Sequence, residues 1–252
     1  MEMLTEKRHQ FILDLLTEND IVTINELLKP LNASESTVRR DLKNLEEQGL
    51  LARVHGGAKK MPHLSFEATM AEKEEKFHQQ KVQIAKFCAG LLDTEDVIYL
   101  DAGSTTIEMI QFIPNDLSIK VVTNSVKHAA LLIDRQIETI ILGGNIKLST
   151  NATLGATAMQ QLSDFRFSKS FLGMNGVELE AGFTTPDPEE AAVKRQALQQ
   201  SQQAYVLLDH SKLQQVTFVQ VAPLKSATIV TNSCPQKFRE DFQDQTTLKE
   251  VN

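Results

Sequence analysis

Ser36, Arg39, Arg40 and Lys43 recur at i, i+3, i+4 and i+7 near the amino terminus. That spacing sets them on one face of a helix. A hydroxyl and three cations on one face is the chemistry of duplex recognition. Arginine grips guanine edges in the major groove, and arginine and lysine both meet phosphates. A second chemistry lies in Asp101-Ala102-Gly103-Ser104-Thr105-Thr106. There an apolar run ends in an acid, a glycine and three hydroxyls ahead of a helical stretch. Such a turn offers backbone N–H groups and outward hydroxyls to a phosphate at a helix N-terminus. It lacks the Gly-Lys-Ser/Thr ending of a P-loop and the glycine spacing of a dinucleotide fingerprint.

The elements that position the first set read clearly. Ser34 caps a helix running to Gln48, whose buried stripe is Val38, Leu42 and Leu45, and Gly49 supplies a left-handed stop. Thr23 to Leu31 opens with a capping box of Thr23 and Glu26 and buries Ile24, Leu27, Leu28 and Leu31. Pro30 is expected to shorten this helix by a turn. Thr5 to Leu16 forms an earlier helix with Phe11, Ile12, Leu15 and Leu16 on one side. Leu50 to Val54 then alternates like a strand, His55-Gly56-Gly57 turns, and Ala58-Lys59-Lys60 returns. Helix, tight turn, helix and basic hairpin make a winged helix-turn-helix over residues 1–60, with Arg53, His55, Lys59 and Lys60 set to lie along phosphates or a minor groove.

At 252 residues the chain has room for this head and one larger domain. Residues 1–60 hold nine Lys/Arg and ten Asp/Glu, a net of −1 within a chain of net −7. DNA affinity must therefore come from placed cations rather than bulk charge, and dimerisation would double the contacts. Cys88 and Cys234 make neither a disulfide scaffold nor a metal cluster and read as small buried hydrophobes. No signal peptide, spanning segment or lipidation motif is apparent, so no membrane partner is expected and a cytoplasmic location is. No metal or cofactor is expected.

Residues 61–72, with Pro62, read as a linker. A helix is predicted from Ala71 to Leu92, with Phe77, Ile84, Phe87, Cys88 and Leu91 inward. Over residues 73–252 short apolar runs alternate with amphipathic stretches, the pattern of a mostly parallel α/β sheet. Val97–Leu100 ends in Asp101, and Ile119–Val122 in Thr123-Asn124-Ser125. Thr139–Leu142 ends in Gly143-Gly144, Ser170–Leu172 in Gly173-Met174-Asn175-Gly176, and Tyr205–Leu208 in Asp209-His210-Ser211-Lys212. Helices fit at 106–113, 126–134, 156–163 and 188–202, and Phe218–Val221 and Thr228–Val230 can add strands. Polar or glycine-rich residues thus gather at the carboxyl ends of strands, where open α/β sheets bind ligands. Asp187 reads as an N-cap before Pro188, with Glu190 closing a capping box and pairing with Lys194. Asp209 and Lys212 suit a sugar hydroxyl and an anion. Lys73 and Lys81, eight residues apart, read by themselves as solvated lysines.

The head carries a signature: Arg8, Ile12 and Leu16, then Ser34, Thr37-Val38-Arg39-Arg40-Asp41-Leu42, then Arg53-Val54-His55-Gly56-Gly57-Ala58. It resembles the DeoR family of bacterial transcriptional regulators. The resemblance continues through D-A-G-S-T-T, T-N-S, L-G-G, F-L-G-x-N-G, G-F-T-T-P-D-P-E-E-A-A-V-K and D-H-S-K. It implies a sensor domain similar in fold to ribose-5-phosphate isomerase that binds a phosphorylated sugar. It implies DNA contacts from Ser34, Ser36, Thr37, Arg39, Arg40, Lys43, Arg53, His55 and Lys59. In lactose-operon relatives, positions matching Lys73, Lys81, Asp209 and Lys212 are implicated in effector response. The candidate effector set adds Asp101, Gly103, Ser104, Thr105, Thr106, Thr123, Asn124, Ser125, Gly143, Gly144, Asn175, Gly176, Glu190 and Lys194. Lys147 stands where many members carry Arg.

The expected function is a homo-oligomeric repressor that binds operator DNA and is released by a small phosphorylated sugar. Similarity within the family is greatest to fructose-operon repressors of Gram-positive bacteria, which implies fructose 1-phosphate. One alternative is a sugar-phosphate isomerase with an added DNA-binding domain, since strand-end acids and lysines can move protons. Another is an architectural DNA-binding protein, which leaves the strand-end residues unexplained.

Overall fold

The computed structural model describes residues 4–19, 21–48, 50–60, 64, 65 and 67–251. Gly49, expected to stop the third helix, and Pro62, expected in the linker, lie outside the described residues. The chain divides between residues 63 and 64 into two units.

The first unit runs α1 (Thr5–Asn19), β1 (Ile21–Thr23), α2 (Ile24–Leu31), α3 (Glu35–Glu47), β2 (Leu51–Val54) and β3 (Gly57–Lys60). Apolar faces of all three helices meet in one core built on Ile12, Leu16, Leu27, Leu31, Val38, Leu42 and Leu45. Ser34 caps α3, its Oγ accepting from the Thr37 N–H, and Thr23 and Glu26 form the full capping box of α2. Pro30 does not shorten α2. The helix continues to Leu31 and ends on Asn32 in the left-handed conformation. A proline this close to the end takes one hydrogen bond from the last turn and spares the rest.

The wing hairpin has a third strand that alternation did not reveal: β1 pairs with β3, Thr23 opposite Gly57. Its two glycines serve different ends. Gly56 sits at φ +82°, which favours glycine, whereas a Cβ on Gly57 would lie 2.1 Å from the Val22 carbonyl oxygen. Thr23 ends β1 and caps α2, and the next N–H, that of Ile24, donates to the Gly56 carbonyl at 2.8 Å.

The second unit begins with α4 (Met70–Glu75) and α5 (His78–Ala89). It continues β4 (Val97–Leu100), β5 (Lys120–Thr123), α6 (Val126–Asp134), β6 (Glu138–Ile141), β7 (Asn145–Lys147), β8 (Ala152–Leu154) and α7 (Ala156–Asp164). It closes with β9 (Phe167–Gly173), β10 (Gly176–Glu178), β11 (Gly182–Thr185), α8 (Pro188–Gln199), β12 (Ser201–Leu207), β13 (Val219–Ala222), β14 (Thr228–Thr231), α9 (Gln236–Phe242) and β15 (Leu248–Glu250). Among the described residues, seven strands form a sheet in the order β15-β14-β12-β9-β4-β5-β6, with all pairings parallel. Its strands are continuous apolar runs because both faces are covered. Ile98, Val121, Phe171 and Val230 pack to one side, and Tyr99, Val122, Leu172 and Ile229 to the other. The Phe218–Val221 run goes instead to a separate antiparallel sheet, β10-β11-β13.

Four helical expectations change. The single helix of 71–92 is broken: Phe77 adopts φ 54°, a left-handed conformation that costs a side-chain-bearing residue about 1–3 kcal/mol. Phe87, expected inward, is exposed. Residues 107–112 form a 3₁₀ rather than an α-helix. Glu190 closes no capping box, because its carboxylate is engaged elsewhere, while Asp187 caps α8 through the Glu189 and Glu190 N–H groups. Cys88 and Cys234 are buried and unpaired to each other.

Candidate functional site

On the head, Ser36, Arg39, Arg40 and Lys43 are exposed along α3. Ser34 and Thr37 bond to each other at the helix start, so they hold the turn. Three cations are already paired on the unit itself. Arg39 meets Glu35 at 2.6 Å, Lys43 meets Glu47 at 3.6 Å, and Arg53 meets Glu46 at 3.8 Å. These exposed pairs are weak and can be exchanged for phosphate. His55 and Lys59 are exposed on the wing. Beneath α3, Arg8 makes a buried two-pronged contact with Asp41 at 2.7 and 3.1 Å and so locks α1 to α3. In the sequence both residues stand out only as signature positions.

In the second unit the polar strand ends form one row across the carboxyl edge of the sheet. By strand order it runs Asp209, Gly173 to Asn175, Asp101, Asn124 and Gly143, in steps of about 4.8 Å. The chain proceeds from β4 toward β5 and β6, then returns to place β9 on the other side of β4. The crevice of such a reversal is where open α/β sheets take ligands. Asp101 sits there. Its buried carboxylate accepts from the Gly173 N–H at 3.0 Å and from Lys194 Nζ at 2.5 Å. Burial alone would discharge Lys194, yet Asp101 and Glu190 hold its pKa above the usual lysine range. The expected Glu190–Lys194 pairing is therefore replaced by Lys194–Asp101, and Glu190 accepts from Thr150 Oγ1 at 2.8 Å and Lys147 Nζ at 3.1 Å.

Several hydroxyls expected to face outward are used internally. Thr106 is fully buried, and its Oγ1 donates to the Asp101 carbonyl at 2.6 Å and lies 3.1 Å from His128 Nε2. Ser125 caps α6 and lies 2.7 Å from His128 Nδ1, and Thr123 Oγ1 accepts from the Ser125 N–H. Burial drives the His128 pKa down to about 3, so the ring is a neutral strut between the 101–106 loop and α6. Asn124 Oδ1 accepts from the Ala102 N–H at 2.9 Å and shapes the same loop. Thr105 is buried, while Gly103 and Ser104 are half-buried at its tip. Gly143 donates to Gln161, and Gly144 and Gly176 lie against the Leu154 and Gln215 carbonyls. Asn175 Oδ1 accepts from Thr185 at 3.0 Å.

A second charged group flanks the row. Asp209 is buried and caps the short turn that carries Lys212, accepting from the Ser211 N–H at 3.0 Å. On one continuous helix, eight residues would separate Lys73 and Lys81 by about 12 Å along the axis. The break at Phe77 instead brings Lys81 Nζ to the Lys73 carbonyl. Lys81 is 3% exposed, not solvated. Burial depresses its pKa to about 8, opposed by Asp209 and reinforced by Lys212. Lys73 donates to Glu67 at 2.8 Å, and Lys147 bonds Glu67 as well as Asp187, the latter at 2.9 Å. No pattern signal marked Glu67, and only the departure from Arg marked Lys147.

A surface cleft of about 420 Å³ is lined by Ile107, Ile110 and Leu131 together with Glu74, Lys127 and Arg135, among others. None of the strand-end residues above lines it. Among the described residues no cluster of His, Cys, Asp or Glu is placed to hold a metal, and no helix is long and apolar enough to cross a membrane.

Residues 8–62 match the DeoR-like helix-turn-helix domain, and residues 76–233 match the DeoR C-terminal sensor domain. The chain is 47% identical to the uncharacterized HTH-type transcriptional regulator FruR of Bacillus subtilis, over 99% of each chain. It is 34% identical to the lactose phosphotransferase system repressor of Staphylococcus epidermidis, over 87% of this chain and 88% of that one. These relatives are named as regulators, not as enzymes. Among solved structures, ribose 5-phosphate isomerase A of Methanocaldococcus jannaschii aligns over 54% of each chain with TM-score 0.41 and 19% identity. Matches to both halves, and a relative nearly half identical from end to end, converge: the chain belongs to the DeoR family of bacterial transcriptional regulators.

Proposed function

We propose that the protein represses a sugar-utilisation operon and leaves its operator when a phosphorylated sugar binds the carboxyl edge of the sensor sheet. The observation that carries this reading is the placement of Asp101, Lys194 and the Ala102–Thr105 loop at the reversal of strand order. The loop supplies N–H groups and the Ser104 hydroxyl for a phosphate, and Asp101, Asn175 and Asp209 supply acceptors for sugar hydroxyls. Lys81 and Lys212 add positive charge beside Asp209. Ser36, Arg39, Arg40 and Lys43 read the major groove, and Arg53, His55 and Lys59 hold the wing to the backbone. A dimer or tetramer presents two heads to two half-sites, and ligand binding shifts the population away from the DNA-competent arrangement. Fructose 1-phosphate is the first effector to test.

The test is fluorescence anisotropy of a labelled fragment from the protein's own upstream region, with a panel of sugar phosphates. Arg40→Ala is expected to weaken operator binding about tenfold or more while ligand binding persists. Lys212→Ala is expected to keep operator binding and lose the response. Operator affinity indifferent to every phosphorylated sugar would end the effector reading.

A further inference from the structure

Glu67 lies in the irregular chain just before α4, and its side chain is only 10% exposed. Lys73 Nζ donates to its Oε1 at 2.8 Å, and Lys147 Nζ donates to its Oε2. The two ammonium groups come from separate elements, α4 and β7, and converge on the two oxygens of one carboxylate. Burial opposes the charge on Glu67. The Lys73 charge and hydrogen bonds from both lysines outweigh it, holding the carboxyl below its usual range and ionised at neutral pH. Two lysines bridging two oxygens would serve a phosphate equally well.

Around this carboxylate Lys73, Lys81, Lys147, Lys194 and Lys212 stand against Glu67, Asp101, Glu108, Asp187, Glu190 and Asp209. Among these acids Glu67 pairs with both Lys73 and Lys147. Glu67 is also flanked by main-chain anchors on the same unit. The Leu64 carbonyl accepts from the Phe218 N–H and the Met70 N–H donates to Ser149, both at 2.9 Å. In sequence these anchors directly follow the helix-turn-helix unit.

We propose that Glu67 is a built-in competitor: its carboxylate occupies a second oxyanion seat, between Lys73 and Lys147, and a phosphate group takes that seat by displacing it. Placing a second anionic group of the effector here rests on the effector reading above, where the Ala102–Thr105 loop takes the sugar's phosphate. The seat itself does not. Displacement links the ligand to the stretch that leads to the head, because the same carboxylate holds that stretch to α4 and β7. A seat filled by its own chain lowers apparent affinity by the fraction of time it is open.

The test uses the full chain and inorganic phosphate, titrated calorimetrically in chloride buffer. Glu67→Gln is expected to bind phosphate at least tenfold more tightly than the wild type. Adding Lys147→Gln is expected to remove the gain. A folded Glu67→Gln protein that binds phosphate no more tightly, or no measurable binding in either protein, overturns the proposal. A wild-type readout covers the case of a variant that does not fold. Saturating phosphate should raise cleavage after Glu67 by a glutamate-specific protease at least severalfold, and an unchanged cleavage rate overturns the proposal equally. If phosphate tightening holds but no sugar phosphate releases the operator, the effector reading fails and the role of Glu67 stands. If sugar phosphates release the operator equally from both proteins and no tightening occurs, the reverse follows.

Discussion

Asp101 and Lys194 form a buried pair, each the other's main compensation for lost water. Removing one partner strands the other charge, which costs about 3–5 kcal/mol in such settings. Asp101→Asn is therefore expected to cost about 3 kcal/mol in urea unfolding followed by circular dichroism, the low end because Glu190 still attracts Lys194. A cost under about 1 kcal/mol would mean that the pair is not buried in solution. Lys81 makes a pH prediction with two opposite signs. Its folded pKa, about 8, lies below its unfolded value near 10.4, so between these the unfolded chain holds more protons. Stability from this site rises with pH across that window, as the cost of burying the charge is relieved. Anion affinity falls across the same window, because the cation is being lost beside Asp209, Glu108, Lys212 and Lys73. Phosphate titrations and denaturation at pH 7 and pH 9 check both, and Lys81→Met should flatten both.

At the scale of elements, the wing depends on two adjacent glycines for unlike reasons, and substitution separates them. Gly56→Ala meets open space and pays only for its left-handed backbone, about 1 kcal/mol. Gly57→Ala drives a methyl into the Val22 carbonyl and should open the β1–β3 pairing, a larger loss visible as a lower melting temperature. Equal costs would contradict the three-stranded wing. Elements whose signals are local were legible in the sequence. Thr23, Ser34 and Asp187 cap the helices they were read to cap, and the apolar runs of the parallel sheet gave their strands to within a few residues. The partners of the charged residues were not legible, because chain distance hides them. Arg8 and Asp41 are 33 residues apart, Glu67 and Lys147 are 80, and Asp101 and Lys194 are 93. The break at Phe77 was hidden too, since an aromatic residue carries no turn signal.

At the scale of the whole molecule, a chain of net −7 must hold an anionic duplex through a handful of cations. Arg39 is partly neutralised by Glu35 across an exposed contact that adds little stability. Glu35→Gln is thus expected to strengthen operator binding and to steepen its logarithmic salt dependence by about 0.9 per head, as Arg39 becomes available to one more phosphate. Operator dissociation constants across a potassium chloride series check this, and an unchanged slope would remove Arg39 from the phosphate contacts. The first N–H of α2 is satisfied by the carbonyl of Gly56 in the wing turn. The wing and the helix pair therefore share a bond that neither can keep alone, and they should exchange their amide protons as one cooperative block. A wing substitution that abolishes operator binding is a lost contact only if the Ile24 amide stays protected, and otherwise it is a melted reading head.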